Sequence, residues 1–226
     1  MTIQHRFEAI IQRIAAAEKA AGRPAGSVTL VAVGKKHPAA AIRQLASLGQ
    51  RDFGESYLDE ALDKQRQLAD LSLNWHFIGP IQSNKTRGIA ENFDWVHSVD
   101  RVKIADRLSA QRPADRGRLK VFIQVNIDRE QSKSGVMPEQ LPELLAHVRS
   151  LPRIELVGLM AIPRPATTGG QPRLAFDRLR QLRDDYATAD CPLPLLSMGM
   201  SDDLDEAVAA GATHVRIGTA LFGARE

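Results

Sequence analysis

The chain opens with Ile3, Phe7, Ile10, Ile11 and Ile14 at helical spacing, with polar residues between them, and Gly22 and Pro24 end the pattern. This helix precedes any strand-like run and is expected to cap or flank the core. Val28 to Val33 follows as a short apolar, β-branched run, which suits a strand buried on both faces. Further strand-like pieces fall at Asp52-Phe53, Trp75 to Ile78, Trp95 to His97, Leu119 to Val125, Ile154 to Leu159, Leu195 to Ser197 and His214 to Ile217. Helix-like pieces lie between them, from Pro38 through Leu48 and closed by Gly49, and around Leu58 to Leu68, Lys85 to Ala90, Val102 to Leu108, Leu141 to Val148, Leu174 to Tyr186 and Leu204 to Ala210. Eight strands alternating with helices predict a closed parallel (β/α)8 barrel, with the second and fourth strands very short. An open doubly wound sheet is the runner-up, but no G-x-G-x-x-G follows the first strand.

Composition fits one domain over residues 1–226. The 226 residues are 43% apolar, and single α/β barrels run about 200–250 residues. The net charge of +3 is too mild and too scattered for a nucleic-acid-binding face. The basic run from Arg112 to Arg118 is broken by Pro113, Asp115 and Gly117 and reads as a solvated loop, and Pro163 to Arg173 reads as a second exposed loop. Cys191 is the only cysteine, so no intrachain disulfide can form. No apolar run approaches the roughly 20 residues of a membrane span, and the amino-terminal helix lacks a secretory apolar stretch. A cytoplasmic protein is expected.

In a barrel, chemistry gathers at the carboxyl ends of the strands. Barrels often bind phosphate with the loops after strands seven and eight and a short helix amino terminus. Here Ser201 suits a helix N-cap ahead of Asp202 and Asp203, which read as first-turn carboxylates. Gly199 lets the backbone bend close to a ligand, and Gly218-Thr219 offers backbone N–H groups and a hydroxyl. Lys35 and Lys36 end the first strand, and alternation sends one of them into the barrel mouth. A desolvated lysine there would favour the neutral amine that attacks an aldehyde. The histidines show no zinc-ligand spacing, and His76 and His97 read as core or rim residues. Arg216, one residue before a strand end, is costly unless it meets a polar ligand edge.

These strand ends together resemble the YggS/PROSC family of pyridoxal phosphate homeostasis proteins. The matching stretches run in order along nearly the whole chain: Leu30 to Lys35, Phe53-Gly54-Glu55, Trp75 to Lys85, Ser132-Lys133-Ser134-Gly135, Gly158-Leu159-Met160, Ser197 to Asp203, and Val215 to Thr219 with Phe222-Gly223. The resemblance implies a TIM barrel like the N-terminal domain of alanine racemase, with pyridoxal 5′-phosphate (PLP) bound as a Schiff base to Lys35. It places phosphate at Ser201, Gly218 and Thr219, and Arg216 against the pyridine nitrogen, which it keeps unprotonated. The full expected cofactor-binding set is Lys35, Ser56, His76, Asn126, Met160, Ser197, Met198, Ser201, Arg216, Gly218 and Thr219. The chain departs from the family where Gly34-Lys35-Lys36 stands for Ser-Lys-Thr and Ser56 for Asn.

The implied role is non-catalytic: a monomeric handler of PLP in vitamin B6 balance, with PLP-dependent apo-enzymes as partners. The alternative is an amino-acid racemase of the alanine racemase type, which needs acid/base groups on both faces of the bound substrate. The only tyrosines, Tyr57 and Tyr186, are not at strand ends suited to supply the second base. A lysine-dependent aldolase acting on a sugar phosphate would use the same loops, and only a conjugated pyridoxal imine would absorb visible light.

Overall fold

A computed structural model describes residues 2–130 and 133–223. Ser132 of the Ser132-Lys133-Ser134-Gly135 stretch therefore lies outside the described residues. In chain order the elements are α1 (Ile3–Ala20), β1 (Thr29–Val33), α2 (Ala39–Ser47), β2 (Asp52–Glu55), α3 (Leu58–Gln67), β3 (Asn74–Phe77), α4 (Thr86–Asn92) and β4 (Trp95–Val99). They continue with α5 (Val102–Gln111), β5 (Leu119–Gln124), α6 (Leu141–Arg149), β6 (Ile154–Met160), α7 (Pro172–Tyr186), β7 (Leu195–Ser197), α8 (Leu204–Ala209), β8 (His214–Ile217) and α9 (Thr219–Phe222).

The strands are parallel and close in order from β1 to β8, with Thr29 to Ala32 paired to His214 to Ile217. The closed barrel is the expected fold, and it excludes the open sheet. Strand alternation divides two cores. Val121, Ile123, Val96, Phe53, Val215 and Leu196 face outward into the shell packed by the helices. Phe122, Val157 and Met160, with Trp95 and Leu195 against them, fill the barrel interior. At the amino-terminal end of the strands, Trp95 stacks on His76, and the Lys120 ammonium sits 4.4 Å from the Trp95 ring centroid.

The extra helix, α1, is stitched to the carboxyl-terminal third of the barrel by arginines. Arg6 donates to the carbonyls of Leu221 and Phe222, Arg13 to that of Ser201, and Arg23 to those of Val208 and Ala212. Glu18 is buried and accepts from the backbone N–H groups of Gly26 (3.0 Å) and Val28 (2.8 Å) and from the Ser27 hydroxyl. It thereby shapes the turn that feeds β1. Glu18→Ala orphans two backbone donors and is expected to lower stability by about 1.5–3 kcal/mol, read as a lower urea midpoint with unchanged slope.

Two loop expectations change. Arg112 is not solvated: it is buried and donates to the carbonyls of Ala90, Phe93, Gly117 and Arg116, so it replaces water at the end of α4. Burial pulls its pKa below the usual arginine value. Ser201 is not an N-cap, because α8 begins three residues later with Asp203 before it. The Asp203 carboxylate turns back to accept from Met200 N–H at 2.6 Å, and the first-turn acids are Asp205 and Glu206. Among the described residues no helix is long and apolar enough to cross a membrane, and no cluster of three or more His, Cys, Asp or Glu could hold a metal.

Candidate functional site

A cavity of about 500 Å³ opens at the carboxyl ends of the strands, within the roughly 300–1,000 Å³ usual for small-molecule sites. Lys35, Ser56, Ser201, Arg216, Gly218 and Thr219 line it, together with Val33, Ile78, Ile162, Met200, Asp202 and Ala220. Six residues of the expected set are thus brought together from four strand ends.

Lys35 stands in a turn just beyond β1, which ends at Val33. The turn is closed by His37 N–H donating to the Gly34 carbonyl at 3.0 Å. Strand alternation therefore does not choose between the two lysines. The turn does: Lys36 is exposed, with φ 64°, and its N–H donates to Glu60 at 2.5 Å, while Lys35 lines the cavity.

A buried brace holds this turn from beneath. Lys64, on α3, donates to the Gly34 carbonyl (2.7 Å), Glu55 Oε1 (2.7 Å) and Glu60 Oε1 (2.6 Å). Gly34 sits close against this brace, and a Cβ there would stand 2.8 Å from Glu55 Oε1, so a larger residue would make that carboxylate shift. Glu55 Oε2 is buried without a hydrogen-bond partner. Burial pushes the Glu55 carboxyl up to about 7, against the opposing pull of Lys64. Between 4.5, its ordinary value, and about 7, the folded protein binds more protons here than the unfolded chain. Stability contributed by this group is present below that window and falls as pH rises through it. Glu55→Gln is expected to flatten the fall, as measured by urea unfolding across the window.

Opposite walls come from the loops after β7 and β8. Gly199 adopts φ +97°, where a Cβ would also meet the Ala207 Cβ at 2.5 Å, so only glycine lets this loop pass α8. The Arg13 guanidinium fixes the loop by donating to the Ser201 carbonyl at 2.6 Å. Gly218 and Thr219 open α9, whose first N–H groups have no intrahelical acceptor. His37 stacks on Phe222 with centroids 4.7 Å apart, joining the lysine turn to this short helix.

Arg216 is buried and lines the cavity floor. It donates through Nη1 to Ser197 Oγ (2.6 Å) and through Nη2 to the Ala161 carbonyl (3.0 Å). Burial lowers its pKa to about 10, partly offset by Asp203, so it remains a cation at neutral pH.

Five residues of the expected set do not line the cavity. Ser197 lies behind Arg216, and Met160 fills the barrel interior. Met198 faces the outer shell. Asn126 spends its side chain on the carbonyls of Glu130 and Lys133 and the N–H of Glu130. His76 is fully buried deep in the barrel, bonded to His97 and Asp52. Of the brace residues, Glu55 falls in the matching stretch Phe53-Gly54-Glu55, whereas Glu60 and Lys64 were not anticipated, although at i,i+4 they are a pairing signal in any helix.

A lysine, a buried guanidinium, hydroxyls and first-turn N–H groups thus gather around one barrel mouth. Residues 6–226 match the model of the alanine racemase N-terminal domain, and the chain belongs to that family, among its pyridoxal phosphate homeostasis members. It is similar over its whole length to the pyridoxal phosphate homeostasis protein of Pseudomonas aeruginosa, with 58% identity covering 100% of this chain and 96% of that one. The protein of the same name from Escherichia coli K12 is 48% identical, covering 99% and 97%. The structure of PipY of Synechococcus elongatus with PLP bound is 38% identical, covers 98% of this chain and 100% of that one, and superposes with a TM-score of 0.82. The same protein without PLP gives 0.85.

Proposed function

We propose that this chain is a single-domain, cytoplasmic PLP-binding protein that holds the cofactor as a Schiff base on Lys35 and acts in PLP homeostasis without robust catalysis. The observation that carries this is the convergence of Lys35, buried Arg216 and the Ser201 and Gly218-Thr219 loops on one cavity. The names of the full-length relatives and the PLP-bound PipY structure support it.

The residues fit the group. Arg216 is already held by Ser197 and Ala161, so its guanidinium meets a pyridine nitrogen as a donor and leaves that nitrogen unprotonated. Ser201, Gly218 and Thr219 receive the phosphate through hydroxyl and backbone N–H groups. When bound, PLP supplies an aldehyde with which a lysine amine condenses reversibly, losing water. Ser56 lines the same mouth, where Gly79 allows close approach: a Cβ there would lie 2.3 Å from the Ser56 carbonyl oxygen. His76, Asn126, Met160, Ser197 and Met198 complete the proposed set as residues behind or beside the cavity wall.

Among the described residues that line the cavity, Asp202 is the one carboxylate, and no tyrosine or histidine is present. The cavity's titratable side chains are Lys35, Asp202 and Arg216, which favours holding over racemisation. PLP-dependent apo-enzymes are the proposed recipients and the chain acts as a monomer. The test is to load purified protein with PLP, record its visible absorbance, reduce with borohydride and map the labelled peptide. Visible absorbance with a label on Lys35 is expected. A colourless protein that cannot be loaded defeats the reading, and measurable racemisation of alanine defeats its non-catalytic part.

A further inference from the structure

Beneath Arg216, polar side chains cross the interior of the barrel in a single file. Ser197 Oγ, which accepts from Arg216, lies 2.7 Å from His97 Nδ1. His97 Nε2 lies 2.9 Å from His76 Nδ1, and His76 Nε2 lies 3.0 Å from Asp52 Oδ1. Both imidazoles and Ser197 are buried, whereas Asp52, the first residue of β2, reaches the far end of the barrel with its side chain 22% exposed.

Proton counting gives this file one direction. An ionised carboxylate only accepts, so His76 carries its proton on Nε2 and presents a bare Nδ1. His97 must then donate through Nε2, which leaves its Nδ1 as an acceptor. The Ser197 hydroxyl proton turns to that nitrogen, and its lone pairs turn to Arg216. The opposite direction would set the bare Nε2 of His76 against an anionic oxygen. Burial opposes the ionised Asp52 carboxyl but is outweighed by the hydrogen bond from His76, which holds it below its ordinary value, and burial lowers both histidines in the direction of the neutral form.

We infer that Asp52, His76, His97 and Ser197 are positioning residues, a relay that fixes from the far end of the barrel how Arg216 is held at the cavity floor. This rests on the PLP reading only in naming what Arg216 meets. A hydroxyl locked as acceptor takes one edge of the guanidinium and leaves the rest of the fork for the pyridine edge of the cofactor. No member of the file except Arg216 lines the cavity. A change at Asp52 therefore reaches a bound ligand through the file and not by contact.

The test is nitrogen-15 NMR of the imidazoles in ligand-free protein and after adding PLP, for wild type and Asp52→Asn. Asparagine keeps the shape but can turn either an acceptor or a donor to His76. Wild type is expected to show His76 and His97 protonated on Nε2 and bare on Nδ1, with both resonances shifting when PLP is added. Asp52→Asn is expected to change the His97 tautomer ratio and to weaken PLP binding about fivefold or more, the lower end of ordinary coupling between sites. His97 protonated on Nδ1 in wild type overturns the relay. So does an Asp52→Asn protein whose tautomers and PLP affinity are both unchanged. If that variant does not fold, the wild-type tautomers decide alone. Wild type that takes up no PLP sinks the reading of the cavity, while the ligand-free tautomers still decide the relay.

Discussion

Lys35→Ala is expected to abolish borohydride-trappable attachment of PLP while leaving the barrel folded. The brace that shapes its turn engages the Gly34 carbonyl and the Lys36 N–H, both backbone groups that an alanine at position 35 leaves in place. What remains is phosphate and pyridine recognition, so affinity is expected to drop at least about tenfold, or about 1.4 kcal/mol. Lys36→Gly is the matching control. Its left-handed φ is one that glycine adopts freely, so the label on Lys35 persists and stability is unchanged or higher by up to about 1 kcal/mol. Peptide mapping of the reduced proteins reads both outcomes. Loss of the label in Lys36→Gly and its retention in Lys35→Ala would reverse the roles of the two lysines.

The largest loss of stability is expected from Gly158→Ala. A Cβ there would lie 1.8 Å from the Leu195 carbonyl oxygen and 2.7 Å from its carbon, both backbone atoms of the neighbouring strand. Gly158 and Leu195 are register partners, so the clash falls on the seam between β6 and β7. That seam has little reserve, because β7 is three residues long and meets β8 through the Ser197–His214 pair. Relief means separating strands, which places the cost above about 4 kcal/mol, in the exceptional range for one substitution. Ser197 moves with β7, so PLP uptake should fall with the melting temperature. Gly169→Asn is the contrast: that glycine has a positive φ, which Gly158 does not, but nothing lies within 4 Å of its Cβ position, and a small change in Tm is expected.

Much of this was legible before any coordinates. Continuous apolar runs such as Leu119 to Val125 mark strands buried on both faces, and their alternation with helices leaves few architectures open. The cavity residues were readable because a barrel confines chemistry to one end of its strands, so proximity follows from topology. What failed was whatever depends on a partner distant in sequence. Arg112 sits in a basic, proline-broken stretch, and nothing local reveals the carbonyls of Ala90 and Phe93 that bury it. Lys64 has the look of a surface helix lysine until Glu55 and Gly34 are folded over it. His76 was expected at the cofactor because its neighbours match the family pattern. Its place deep in the barrel was nonetheless written in the alternation, since Trp75 and Phe77 face outward and His76 must then face inward. The same reading of His97, Ser197 and Arg216 would have revealed a polar file through the interior.

The stitching of α1 to the final elements also sets the order in which the molecule can be built. Arg6 reaches the Leu221 carbonyl across 215 positions, and the cavity walls come from both the first strand and the last. Contacts so far apart in sequence form late, after the intervening β/α units have shortened the effective loop. Until β1 meets β8, the cavity has only part of its wall. On the proposed function, PLP can be held only once β1 and β8 have met and closed the ring.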